Sequence, residues 1–237
     1  MIKTPSTAGA ATATQSERPV PSGTASTTLR ILLVDDHTIV RDGLKQILAK
    51  QFPQALFGEG RNARDALTAI DRDRWDVILL DITMPGQSGL DVLKQIKSVQ
   101  PETKVLVLTM HPEDQYAVRV LKAGASGYLT KDTASEEVVN AVTKILAGGK
   151  YVSAAFAQTL LAGLANPTPK APHEMLSDRE YQFLRMAASG KSVKEIGADL
   201  GLSVKTVSTY RTRVLKKLNL KTNADVIRYA IREKLVE

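Results

Sequence analysis

The chain has 237 residues, 43% hydrophobic and 24% charged, with a net charge of +7, which is typical of a folded protein large enough for two domains. It contains no cysteine, which excludes disulfides, thiolate metal sites and thiol catalysis and fits the reducing environment of the cytoplasm. None of its apolar runs reaches the roughly 20 residues that a membrane span requires, so we expect no membrane partner.

The chain begins with a polar segment and continues with alternating strand and helix patterns. Residues 1–28 are rich in Ala, Thr, Ser and Pro and lack the apolar stretch of a secretory signal, so we expect a disordered tail. Continuous apolar runs, such as residues 31–34, are typical of strands buried on both faces of a parallel sheet. The predicted strands are 30–34, 55–58, 77–80, 104–108 and 127–130, and the predicted helices are 38–50, 63–71, 89–99, 113–122 and 135–147. These five repeats predict an α/β domain at residues 29–152, a (βα)5 doubly wound parallel sheet with its ligand site at the carboxyl ends of the strands.

Charged and hydroxyl side chains follow four of these strands. Asp35 and Asp36 follow the first strand and Asp81 the third, while Thr109 ends the fourth and Lys131 follows the fifth. Crowded carboxylates require a neutralising cation, and a small set of oxygen ligands suits Mg²⁺. Each residue alone would more often be structural, for example as a helix N-cap. Together they predict a phosphoryl-binding site, in which a carboxylate attacks phosphorus while metal, ammonium and hydroxyl bind its oxygens.

Four segments at the strand ends resemble the signature segments of response-regulator receiver domains. They are Leu-Val-Asp-Asp-His at 33–37, Leu-Leu-Asp-Ile-Thr-Met-Pro-Gly at 79–86, Val-Leu-Thr at 107–109 and Gly-Tyr-Leu-Thr-Lys-Asp at 127–132. The resemblance covers residues 30 to about 150. It implies that Asp81 is the phosphoacceptor and that Mg²⁺ is bound by Asp35, Asp36, Asp81 and the backbone carbonyl of Thr83. It also implies that Thr109 is the switch hydroxyl, that Lys131 binds the phosphoryl group and that Tyr128 changes rotamer. From the residues alone, a half-buried core position is favoured for Tyr128. Asp132 stands where many receivers have proline, which leaves the geometry of that loop open.

Thr83 distinguishes a receiver domain from a phosphohydrolase. Aspartyl-phosphate hydrolases of the haloacid dehalogenase type carry a second acid two residues after the nucleophile, where this chain has Thr83. Without a general acid at that position fast turnover is not expected, so we predict a signalling protein and not an enzyme. His37, beside the acidic pair, is predicted to be structural.

A linker and a basic helical module follow the α/β domain. Residues 153–173 are predicted to be a linker, with a short helix within 153–165 and a proline-rich part at 166–172. Residues 174–237 are predicted to form four helices, 178–189, 193–199, 204–218 and 223–234, with capping boxes that begin at Ser177 and Ser192. Residues 170–237 carry 14 Lys and Arg against 8 Asp and Glu, whereas residues 1–169 carry 18 against 17. This basic excess favours nucleic acid, ahead of a membrane surface, as partner.

Residues 191–211 are typical of a helix, a tight turn at Gly201 and a second helix. Apolar residues of the second helix share the face that we expect in the core, namely Val207, Tyr210, Val214 and Leu218. Another face is polar and partly basic, with Lys205, Ser208, Thr209, Thr212 and Lys216. No carboxylate occurs at residues 203–224, which favours insertion into the major groove of DNA over an ordinary solvated surface.

Residues 174–237 resemble the LuxR-type helix-turn-helix domain of the NarL/FixJ family through segments 176–180, 190–192, 194–196, 202–203, 206–207 and 215–218. The resemblance implies that Ser208, Thr209 and Thr212 face the bases, and that Lys205, Arg211, Arg213 and Lys216 lie nearer the phosphates. It further implies dimerisation through the last helix, with Val226 and Ala230 as the candidate exposed residues. Val193, Gly197, Ser208 and Tyr210 depart from the family pattern, so the base preference does not carry over.

The two resemblances predict a NarL/FixJ-type response regulator. A sensor histidine kinase would phosphorylate Asp81 with Mg²⁺ bound, and the phosphoryl group would control binding of double-stranded DNA, homodimerisation, or both. The alternative is a phosphorylation-independent DNA-binding regulator with a structural or ligand-sensing receiver. The presence of all the predicted phosphorylation-site residues argues against this alternative. A Mg²⁺-dependent phosphohydrolase is a second rival, and a quorum-sensing LuxR protein would share only the C-terminal module.

Overall fold

The computed structural model describes residues 28–84, 87–111, 113–165 and 171–236, so the predicted tail, apart from Thr28, lies outside the described residues. The strands are β1 (Arg30–Val34), β2 (Leu56–Gly60), β3 (Val77–Asp81), β4 (Lys104–Thr109) and β5 (Gly127–Thr130). They form one parallel sheet in the order β2-β1-β3-β4-β5. The helices between and after them are α1 (Thr38–Gln51), α2 (Ala63–Arg72), α3 (Gly89–Val99), α4 (Glu113–Lys122) and α5 (Ala134–Leu146). The predicted doubly wound α/β sheet is confirmed.

Helices cover both faces of the sheet, which is why the central strands are apolar along their whole length. On one face, Leu33 and Leu79 pack with residues of α1 and α5. On the other face, Leu32 and Ile78 pack with residues of α2, α3 and α4. With both faces covered, the carboxyl ends of the strands form the edge where polar side chains can gather.

Strand β2 ends at Gly60, two residues beyond the predicted end. Glu59 and Gly60 continue the parallel pairing, opposite Leu33 and Val34 of β1. The apolar pattern could not indicate this extension because backbone hydrogen bonds do not require apolar side chains.

The C-terminal part is helical. It contains α6 (Ala154–Ala165), a 3₁₀ turn (Pro172–Met175), α7 (Asp178–Ala188), α8 (Val193–Leu200), α9 (Val204–Lys217) and α10 (Asn223–Arg232). Ser177 and Ser192 begin α7 and α8 with the predicted capping boxes. The 3₁₀ turn was not predicted, although proline suits the first position of a helical turn, where no N–H is needed. Across the described ranges, no helix combines the length and apolar character needed to cross a bilayer.

The helical domain packs against α4. Tyr116 of α4 meets Tyr181 of α7 edge-on, with ring centroids 5.3 Å apart. Arg119 of α4 donates hydrogen bonds of 2.7 Å to the carbonyl oxygens of both Leu176 and His173. Its guanidinium also lies 4.3 Å from the centre of the Tyr181 ring. These five residues form what we call the domain interface, across which the two cores are continuous.

Candidate functional sites

Asp35, Asp81 and Lys131 meet at the carboxyl edge of the sheet. Lys131 Nζ lies 2.7 Å from Asp81 Oδ2 and 2.7 Å from Asp35 Oδ2. Asp35 is 2% exposed and Asp81 is 1% exposed. Because an unpaired buried charge is costly, the shared ammonium is what allows both carboxylates to be buried. The three groups are close enough to contact one small anion together.

Asp36 and His37 extend this group into a cluster of potential metal ligands. One ligand atom from each of Asp35, Asp36, His37 and Asp81 lies within 4.8 Å of the others. His37 Nδ1 is 3.1 Å from Asp35 Oδ1 and 2.9 Å from Asp36 Oδ1. Asp36 Oδ1 is nevertheless buried and accepts no well-directed hydrogen bond from the described residues. A divalent cation would satisfy that oxygen, so the residues fit a metal. The contact of His37 with both acids was not predicted.

Arg41 fixes the chain that carries Asp35. Its buried side chain donates from Nη1 to the carbonyl oxygen of Asp35 at 2.7 Å and from Nη2 to Thr38 Oγ1 at 3.3 Å. The sequence patterns did not indicate this role for Arg41. The signal was a basic residue in the buried stripe of α1, which continues through Leu44 and Leu48.

Burial governs the electrostatics of the site. It raises the pKa of Asp81, although Lys131 and the backbone N–H of Thr83, 2.7 Å from Asp81 Oδ1, act in the opposite direction. Burial lowers the pKa of Lys131, but the carboxylates of Asp81 and Asp35 outweigh this effect and leave that pKa above its ordinary value. Lys131 therefore stays charged at neutral pH, and a bound cation would further favour ionised Asp81.

Thr109 and Tyr128 both form hydrogen bonds with the backbone of His111, which lies two residues after the end of β4. Thr109 is fully buried, and its Oγ1 accepts from the backbone N–H of His111 at 3.2 Å and lies 3.2 Å from Thr83 Oγ1. Tyr128 donates from its hydroxyl to the carbonyl oxygen of His111 at 2.9 Å. Tyr128 is buried, more deeply than the half-buried position that the sequence alone favoured.

Two loops complete the edge. Met84 is buried, whereas Pro85 and Gly86 lie outside the described residues. The bond between Lys131 and Asp132 is trans, since the described part of the chain has no cis peptide. The sheet edge thus brings together the acids, the hydroxyl and the ammonium that the sequence placed at the strand ends.

Helix α9 presents a polar, basic surface. Its predicted core face is buried at Val207 and Val214 and half-buried at Tyr210. The opposite side exposes Lys205, Ser208, Thr209, Thr212, Arg213 and Lys216. We call these residues the α9 surface. Arg211 is half-buried, and its Nε donates to Asn223 Oδ1 at 2.8 Å.

The prediction that Val226 and Ala230 are exposed is wrong. Both are fully buried, because they lie on the side of α10 that packs against α7. Their spacing of four residues, with Tyr229 beside them, is the core stripe of an amphipathic helix. In this conformation neither residue can form an exposed dimer contact. Ile231, which is 56% exposed, is the large apolar residue that α10 presents to solvent.

Comparisons with known proteins identify both domains. Residues 31–143 match the response regulator receiver domain, and residues 174–230 match the bacterial regulatory proteins of the luxR family. Response regulator UvrY of Escherichia coli (strain K12) is 36% identical over 208 residues, which span 87% of this chain and 95% of UvrY. A structure of the RcsB response regulator of Salmonella typhimurium is 25% identical, with a TM-score of 0.52, and covers 85% of this chain and 97% of that one. A structure of an RcsB–DNA complex has the same identity and coverage, with a TM-score of 0.53. The chain therefore belongs to the response regulators that join a receiver domain to a luxR-type domain.

Proposed function

We propose that the protein is a cytoplasmic, phosphorylation-controlled transcription regulator that accepts a phosphoryl group on Asp81 from a sensor histidine kinase. The observation that carries this proposal is the ammonium of Lys131, 2.7 Å from both Asp81 and Asp35. Phosphorylation adds negative charge to Asp81, and a fixed cation beside it stabilises both the transfer and the product.

In the transfer, a carboxylate oxygen of Asp81 attacks the phosphorus of a phosphohistidine. The P–N bond breaks, and the leaving imidazole keeps the electron pair and takes up a proton. Lys131 and Thr109 would bind phosphoryl oxygens, while Thr83 occupies the position where a hydrolase has its general acid. Because the Thr83 hydroxyl cannot act as a general acid or base at neutral pH, we propose that the acyl phosphate is long-lived and that the protein has no multi-turnover phosphatase activity.

The resident metal in this proposal is Mg²⁺. Asp35, Asp36 and Asp81 would hold it through carboxylate oxygens, together with the backbone carbonyl of Thr83. A bound Mg²⁺ supplies charge neutralisation for the carboxylates and the phosphoryl oxygens. The buried Asp36 Oδ1 without a well-directed donor supports this assignment among the described residues.

The α9 surface is the proposed DNA contact. Ser208, Thr209 and Thr212 would face base edges, and Lys205, Arg211, Arg213 and Lys216 would lie near phosphates. Arg211 could do so through its Nη groups while its Nε stays bonded to Asn223. We propose that the active form is a homodimer on two half-sites of double-stranded DNA. Thr109 would turn from His111 toward the phosphoryl group, and Tyr128 would change rotamer with it.

The first test is whether Asp81 carries the phosphoryl group. The protein is incubated with acetyl phosphate and Mg²⁺, and its intact mass is measured. We expect wild type to gain one phosphoryl group and Asp81→Asn to gain none. Asp71→Asn, which changes an exposed carboxylate in α2, is the matched control and should be phosphorylated like wild type.

The second test is whether phosphorylation controls output. DNA affinity and oligomeric state are compared with and without phosphodonor in the same three proteins. Wild type and Asp71→Asn should change in at least one property, and Asp81→Asn in neither. A phosphorylated wild type with unchanged DNA affinity and oligomeric state would favour the phosphorylation-independent alternative.

A further inference from the structure

The side chain of His111, in the loop between β4 and α4, contacts both domains. Arg185 of α7 places Nη1 3.1 Å from His111 Nδ1. The imidazole stacks on Tyr116 of α4, with ring centroids 4.5 Å apart and an interplanar angle of 16°. The Arg185 guanidinium lies 5.7 Å from the centre of the same Tyr116 ring. One receiver side chain is therefore packed between α4 and the luxR-type domain, beside the domain interface.

The direction of the bond between His111 and Arg185 follows from its chemistry. A guanidinium can only donate, so His111 Nδ1 accepts and the imidazole carries its proton on Nε2. Burial, aided by the Arg185 charge, lowers the pKa of His111 to about 4, so the ring is neutral at physiological pH. The contact is thus a charge-assisted hydrogen bond, which is stronger and more directional than a neutral one.

The backbone of His111 is bonded to both proposed switch residues. Its N–H donates to Thr109 Oγ1 and its carbonyl oxygen accepts from the Tyr128 hydroxyl. If Thr109 turns to a phosphoryl oxygen on Asp81, the first bond is lost, and if Tyr128 changes rotamer, the second is lost. Either loss frees the peptide units that position the imidazole.

We propose that His111 is a positioning residue that couples the phosphorylation site to the luxR-type domain. In the unphosphorylated protein its ring holds Arg185, and movement of Thr109 and Tyr128 releases it. This inference rests on the proposed phosphorylation of Asp81. Arg119 has a different role, because its bonds across the domain interface go to the carbonyl oxygens of Leu176 and His173 and not to Thr109, Tyr128 or His111.

The test separates the acceptor nitrogen of His111 from its ring. His111→Phe keeps an aromatic ring for stacking on Tyr116 but has no acceptor for Arg185. Met110→Ala is the matched control, because Met110 is in the same loop and its side chain is 60% exposed. The chain has no cysteine, so Lys50→Cys and Lys221→Cys, both at exposed positions, provide sites for fluorescent labels that report domain separation.

Without phosphodonor, we expect His111→Phe to raise the ratio of open to closed protein about tenfold over wild type, the effect of losing one hydrogen bond to a charged group. At neutral pH, wild type and Met110→Ala should open only with acetyl phosphate and Mg²⁺. The rate of Asp81 phosphorylation should stay within about twofold in all three, since a charge-assisted bond distant from the phosphorus alters coupling and not transfer.

If His111→Phe is phosphorylated, stays closed without phosphodonor and opens with it like wild type, the coupling role is wrong and the function of Asp81 stands. If wild type gains no phosphoryl group, the proposed function fails and this inference fails with it. Arg185→Leu removes the same bond from the other domain and replaces His111→Phe if that variant does not fold. It should open the protein in the same way, and a closed, normally responding Arg185→Leu would overturn the proposal.

Discussion

At the scale of single residues, Lys131 is the cation that compensates the burial of two neighbouring carboxyl groups. Lys131→Gln removes the ammonium that lies 2.7 Å from both Asp81 and Asp35. We expect the free energy of unfolding of the receiver to fall by about 3 kcal/mol, the usual cost of leaving a buried charge unpaired. Mg²⁺ should restore much of that loss, because a cation bound to the native site neutralises the same carboxylates. Urea unfolding with and without Mg²⁺ measures both effects.

Lys45→Gln is the control for this prediction. Lys45 Nζ is 2.8 Å from Glu59 Oε1, but the lysine side chain is 44% exposed. Loss of this surface ion pair should cost less than about 1 kcal/mol, with no dependence on Mg²⁺. If Lys131→Gln were as stable as wild type without Mg²⁺, the burial of the Asp35 and Asp81 carboxyl groups would not depend on Lys131.

The residues that the sequence could assign are those whose position follows from topology. Asp81, Thr109 and Lys131 stand at the ends of strands, and parallel strands in one sheet bring their carboxyl ends to one edge. The roles of Arg41 and His111 depend instead on which side chains pack against them. No spacing rule within a single strand or helix carries that information.

At the scale of secondary structure, the turn between α8 and α9 depends on one backbone conformation. Gly201 ends α8 with φ of 63°, in the left-handed region. Gly201→Ala should destabilise the luxR-type domain by about 1–2 kcal/mol and weaken DNA binding, because it strains the turn that positions α9. Gly43→Ala is the opposite case, since Gly43 lies within α1 and an added Cβ would meet nothing within 4 Å. It should stabilise the receiver by about 0.5–1 kcal/mol. Thermal unfolding of the two variants should show shifts of opposite sign, and equal shifts would contradict the argument.

Sequence patterns placed most elements because hydrophobic periodicity and capping residues act locally. The predicted segments 89–99, 113–122 and 127–130 coincide with α3, α4 and β5. The expectation for α10 is wrong because it rests on a family resemblance, whereas the periodicity of the helix itself predicts a buried inner face. Val226 and Ala230 obey that periodicity and are buried.

At the scale of the whole molecule, the packing of one domain on the other could not be predicted. Arg119 bonds to Leu176, a residue 57 positions away, and that bond depends on how α4 and α7 dock. Two half-buried imidazoles lie where the domains meet. Burial and Arg185 lower the pKa of His111 to about 4 from its ordinary 6.5. Burial also lowers the pKa of His173. Because separation of the domains would expose these rings, we expect the arrangement of the domains to depend on pH.

The final prediction is that acid opens the protein without phosphorylation. We expect the open form to expose His111, which would then bind a proton near its ordinary pKa of 6.5, whereas in the closed form burial and Arg185 lower that pKa to about 4. The closed arrangement should thus be favoured above pH 6.5 and should weaken as the pH falls from 6.5 toward 4. For one such group, the ratio of open to closed protein at about pH 5.5 should be roughly ten times its value at neutral pH. Protonation of His173 should change this ratio in the same direction.

The groups that face His111 are Arg185 from α7, Tyr116 from α4 and Tyr128 from β5. Burial raises the pKa of the Tyr116 hydroxyl above its ordinary value, so the proton is taken up by the imidazole of His111. Domain separation is measured between pH 7 and pH 5 with the same labels, in Asp81→Asn so that phosphorylation does not contribute. When His111→Phe is added to Asp81→Asn, the tenfold increase in the ratio of open to closed protein should disappear. Only the smaller pH-dependent increase due to His173 should remain. An equal pH response with and without His111 would show that its protonation does not control the docking.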